Sequence, residues 1–94
     1  MMEQLIEIPR MQIVMAFVAT CIEATARLLN TSYKEIYYRM NCVGLIENYI
    51  VPHYETLHSE SRENNAQGIA ECLKNWEEKS WAISLFMRIL LNLR

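Results

Sequence analysis

Residues 10–29 read RMQIVMAFVATCIEATARLL, and this stretch decides the fold. Met11, Val14, Met15, Val18, Ile22, Ala26 and Leu29 recur at spacings of three and four, which places them on one face of an α-helix. Ile13, Phe17, Cys21, Ala24 and Leu28 widen that face, leaving a narrow polar strip through Gln12, Glu23 and Arg27. Glu23 and Arg27 stand four apart and can pair across one helical turn. A helix this apolar is expected at the centre of a core, wrapped by its neighbours. Residues 1–9 read as a short lead, closed by Pro9, which suits a first helical turn.

On the C-terminal side, Asn30-Thr31 is a break. Ser32 and Glu35 then form a capping box, in which the serine oxygen accepts from the Glu35 amide and the glutamate returns to the serine amide. A second helix is expected from residue 33 to about 40, and residues 41–44 read as a connector. Residues 45–51 look like a short helix that stops before Pro52, because a proline biases the preceding residue away from helical backbone. Pro52 can open another turn through His58. Residues 59–65 are polar and are expected to be a loop. Residues 66–76 resume helical spacing through Ile69, Leu73 and Trp76. Residues 80–94 differ from everything before them: Ser80, Ser84, Arg88 and Asn92 make one thin polar stripe on a helix that is otherwise almost wholly apolar. At about 1.5 Å per residue the apolar run reaches roughly 20 Å, short of the ~20 residues a bilayer span needs. No transmembrane segment is therefore expected, and this tail is expected to be buried in the core or in a dimer seam.

The 94 residues fit one helical domain, residues 1–94. An apolar share of 52% with only two glycines and two prolines favours an all-α fold, expected as a compact bundle of four to five helices around the N-terminal one. The net charge of −2 gives no general electrostatic pull toward nucleic acid or anionic membranes. Three dispersed cysteines without a CxxC pair read as reduced thiols, and Met1-Met2-Glu3-Gln4 lacks the basic start of a signal peptide, so a cytoplasmic protein is expected.

Chemistry-bearing patterns are sparse. His53 and His58 are five apart and so do not share a helical face as an i,i+4 zinc pair would. There is no G-x-S-x-G elbow, no phosphate-cradling glycine loop, and no spacing that brings a cysteine to a histidine. No catalytic, cofactor-binding or metal-binding residue is assigned, and the chain is expected to act without enzymatic activity. Tyrosine is concentrated at Tyr33, Tyr37, Tyr38, Tyr49 and Tyr54, and tyrosine is enriched in protein interfaces. Tyr33, Tyr37, Tyr38, Tyr54 and His58 are the candidate contact residues for a protein partner or a second copy. The alternative is a helix-turn-helix through residues 24–37, presenting Tyr33, Lys34, Tyr37, Tyr38 and Arg39 to a DNA major groove.

The stretch Tyr49-Ile50-Val51-Pro52-His53-Tyr54-Glu55-Thr56-Leu57-His58 resembles the signature of Domain of Unknown Function family 3791, a set of small bacterial helical proteins. Phe17-Val18, Cys21-Ile22-Glu23 and the group Ser32, Glu35, Ile36 and Tyr37 match its other elements, so that the resemblance covers roughly residues 14–74. Glu55 stands where the family has Asp, Ser59 and Glu60 replace its Thr-Gln, and Gln67-Gly68 precede Ile69 in place of an acidic pair. The resemblance implies an all-α fold and an accessory or antitoxin-like binding module acting on a neighbouring gene product. The apolar tail lies outside it and reads as a separate dimerisation element.

Overall fold

A computed structural model describes residues 9–93. The fold is all-α. Its elements are α1 (Arg10–Leu28), α2 (Tyr33–Val43), a π-helical turn (Ile46–Ile50), the one-turn α3 (Tyr54–Leu57) and the long α4 (Arg62–Asn92). The expected lead through residue 8 lies outside the described residues. Pro9 stands at the N-cap position of α1, its carbonyl accepting from Gln12 and Ile13.

Local sequence sets most of these boundaries. Asn30 takes a left-handed conformation (φ 55°), which ends α1 and turns the chain into α2. Ser32 Oγ accepts from the Glu35 amide at 3.1 Å, the first half of the expected capping box. Residues 41–43, expected in a connector, continue α2 as far as Gly44. That glycine caps the helix with φ 71°, and a Cβ there would meet Asn48 Nδ2 at 2.8 Å. The expected helix over residues 45–51 is a π-turn, with Val51 N donating to Ile46 O at 2.9 Å.

The largest departure from expectation is α4. Residues 62–65, expected in a loop, are already helical, because Ser61 Oγ accepts from the Asn64 amide at 3.1 Å and caps the helix. From there one unbroken helix of 31 residues joins the two C-terminal helical stretches read from sequence.

α1 packs on both α2 and α4. Ala24, Arg27 and Leu28 at the end of α1 lie beside Arg62, Glu63 and Ala66 at the start of α4, so the two run alongside in opposite directions. The core gathers Val14, Val18, Cys21 and Ile22 from α1, Ile36 and Met40 from α2, Leu45, Ile46 and Ile50 from the connector, and Ile69 and Leu73 from α4. Fully burying such a side chain contributes about 1.5–3 kcal/mol. Of the face read from sequence on α1, Val14, Val18, Ile22 and Ala26 are buried, whereas Met11, Met15 and Leu29 are exposed. Two helices cover one stripe of α1 rather than wrapping it. α1 is long and apolar enough to cross a membrane by length and composition (mean hydropathy 1.4), and a third of that stretch is buried against the rest of the fold.

The expected compactness does not hold. The chain measures 68 × 27 × 23 Å and its radius of gyration is 16.9 Å, against about 12 Å for a compact domain of this length. The reason is a mismatch of lengths. α4 has 31 residues and α1 has 19, so α4 runs on for roughly 18 Å beyond its antiparallel neighbour at about 1.5 Å per residue. Residues 78–93 are all exposed.

Candidate functional site

The connector between α2 and α4 is held by aromatic stacking. Tyr54 stands edge-on to Phe17 of α1 (ring centroids 5.3 Å apart), stacks flat on His58 at 4.7 Å, and carries the Arg10 guanidinium 5.2 Å above its ring. Arg10 also donates to Glu55, and this hydrogen bond holds the Glu55 carboxyl below the usual carboxylate range. His58 Nε2 lies 3.7 Å from the same carboxylate. On the other side, Tyr49 stacks at a tilt on His53 (5.0 Å) and edge-on to Trp76 of α4 (6.3 Å). His53 Nδ1 donates to the Tyr49 carbonyl at 2.7 Å. Burial raises the Tyr49 hydroxyl above its ordinary pKa. Asn65, a buried amide at the start of α4, donates to the Leu57 carbonyl at 2.8 Å. Ile50 is fully buried.

The signature residues Tyr49, Ile50, Tyr54, Leu57 and His58 therefore act together to fasten a short irregular connector onto α1 and α4. Each imidazole is engaged with tyrosine. Among the described residues no three histidine, cysteine or acidic side chains gather as a metal set. Cys21 is buried, and burial pushes its thiol pKa up to about 11; burial also raises Cys72. Cys42 is exposed, next to Tyr38, whose hydroxyl is held above its ordinary pKa first by the Cys42 side-chain hydrogen bond.

The candidate contact residues fall into two separate places. Tyr33, Tyr37 and Tyr38 are exposed on α2. Tyr33 and Tyr37, with Lys34, border a shallow groove of about 200 Å³ floored by Ala19 and Ile22 of α1. Tyr54 is half-buried and packs on Phe17, with His58 over it. Phe17 and Ala19 are two residues apart on α1, hence about 160° apart around its axis, so the two groups lie on opposite sides of that helix. They do not form one surface.

Arg39, named for a DNA-reading face, is committed elsewhere. Its Nε and one Nη each donate to a Glu77 carboxylate oxygen at 2.8 Å, a bidentate pair between α2 and α4 with both side chains 31% exposed. Sequence reasoning missed this pair and Asn65, since their partners lie 38 and 8 residues away. Ser61 was a signal within reach: a serine two residues before a glutamate, opening a helical run.

Beyond the pair, the tail begins. Trp81 is 68% exposed, Phe86 60%, Leu91 63% and Leu93 73%. Among the described residues none buries them. At the root of the tail Arg39, Cys42, Val43, Glu77, Ser80 and Trp81 border a groove of about 320 Å³.

These features define a small all-α domain with an irregular, aromatic-pinned connector and a projecting terminal helix. Residues 16–76 match the family described as Protein of unknown function (DUF3791), and the chain belongs to that family. No curated protein and no solved structure matches the chain. The matched region ends at Trp76, so the tail lies beyond it.

Proposed function

We propose that this chain is a non-enzymatic protein-interaction module of the cytoplasm, a regulator or antitoxin-like accessory of a neighbouring gene product. The observation that carries this reading is the exposed apolar tail. Monomeric soluble proteins rarely present contiguous apolar patches beyond a few hundred Å², and residues 81–93 present large apolar side chains on nearly every side of a helix. The exposed tyrosines of α2 offer a second contact face. The antitoxin-like role is supported by the family resemblance alone, and the compartment by three cysteines that stand free of one another.

The helix-turn-helix alternative has less support. Arg39 is held by Glu77, which leaves Lys34 as the other basic side chain of α2. The test is affinity purification of the tagged full chain from its native host, with a nuclease-treated control. A stoichiometric protein that survives nuclease is expected. Recovery of nucleic-acid-dependent material alone would replace this reading with the DNA-binding one.

A further inference from the structure

The geometry points to a second copy of this chain as the occupant of the tail, paired antiparallel along residues 80–93. This inference deepens the interaction-module reading and rests on it.

The spacing comes first. Ile69, Leu73 and Trp76 face the body of the domain at intervals of four and three. The same alternation runs on without interruption through Ser80, Ile83, Met87 and Leu90, where α4 has outrun α1 and the side chains are exposed. Alternating intervals of four and three form the seam of a paired helix.

The sizes come second. Along the seam the small residue is Ser80, at the root, and the tip carries Leu90. A two-fold axis passing at the level of Leu85 sets Leu90 over Ser80 and Met87 over Ile83, with each contact repeated by symmetry. The seam maps onto itself, and the small Ser80 meets the large Leu90 at each end of it. Parallel pairing would set Ser80 on Ser80 and leave the root of the seam without an apolar contact.

The groove at the root is the third observation. It opens beside Ser80 with a volume of about 320 Å³, at the place where Leu90 of the second copy arrives in this register.

Area and charge separate this occupant from others. The exposed apolar side chains of the tail present on the order of 1,000 Å² around the helix, of which one seam covers a part and a closed pair of dimers more. Helices that lie on membrane surfaces carry a broad basic face, whereas residues 80–93 hold one cation, Arg88.

The experiment uses the full chain. Light scattering coupled to size exclusion, run from micromolar to submillimolar protein, is compared with the Ile83→Lys/Leu90→Lys variant. Both positions are exposed, so circular dichroism should show the body intact. The expected result is a dimer, or a closed pair of dimers, whose mass falls at least twofold in the variant. p-Benzoylphenylalanine in place of Phe86 should then photo-cross-link to a peptide containing Met87 of the second copy. A monomer across the whole range overturns the inference, as does a dimer that survives both lysines or a cross-link that maps outside residues 80–93. Flotation with phosphatidylcholine/phosphatidylglycerol vesicles forms the other arm: a monomer that floats assigns the tail to a lipid surface instead. A monomer that still captures a stoichiometric host protein overturns self-pairing while leaving the interaction module standing.

Discussion

The body of the domain and its tail are built from similar residues, yet one is a core and the other a surface. Leu73 and Leu90 lie on the same helix and continue the same spacing. Leu73 is fully buried, and Leu90 is 45% exposed. What separates them is the presence of a neighbour: α1 ends its run alongside α4 before residue 81. Composition reports how apolar a helix is; only the lengths and directions of neighbouring helices determine which part of it finds cover.

Truncating each leucine is the sharpest way to break this contrast. Leu73→Ala should lower unfolding free energy by about 3 kcal/mol, measured by urea denaturation. Leu90→Ala should change it by no more than ~0.5 kcal/mol at the lowest workable protein concentration. Similar losses at both positions would show that the tail folds back as core.

Next in size are the links that join the connector and α2 to α4. Asn65→Ala leaves the Leu57 carbonyl without its donor and should cost about 1–2 kcal/mol. Arg39→Ala should cost about 1 kcal/mol, a value held down by the partial exposure of the Arg39–Glu77 pair. A double-mutant cycle with Glu77→Ala isolates the coupling between the two.

Thr25 should respond with the opposite sign. Its hydroxyl is fully buried with no hydrogen-bond partner. Thr25→Val keeps the shape, removes the unsatisfied group and should stabilise the body by up to about 1 kcal/mol in the same urea experiment.

The smallest effect is electrostatic. Arg10 lowers the Glu55 pKa in the folded state, so the contribution of this pair is complete above the unfolded carboxylate pKa. It is lost as pH falls through the lowered folded value. Glu55→Gln should therefore change only the acid limb of the stability–pH curve, and carboxyl titration by NMR should place Glu55 below its unfolded value.

Much of the fold was legible because helical signals are local. The Ser32 cap, the break at Asn30 and the spacing of Val14, Val18 and Ile22 each act within one or two turns of chain. Gly44 reads from sequence as part of a connector, although a glycine in that place is an ordinary helix end. The candidate site was legible only residue by residue. Tyr33, Tyr37 and Tyr38 are exposed as an interface would need, but Tyr54 and His58 lie on the opposite side of α1 and hold the connector. Which tyrosines share a surface depends on the rotation of α1 between its neighbours, and no interval in the sequence encodes it.

By itself the sequence determined an all-α chain, the family to which it belongs and the 4-3 spacing that runs through α4, because caps, periodicity and signature residues are written in adjacent positions. The tertiary structure alone decided that α1 exposes half its apolar face, that Arg39 is spent on Glu77 and that α4 projects past the domain. Those outcomes follow from which helices lie side by side and how far each extends, a property of pairs of elements distant in the chain.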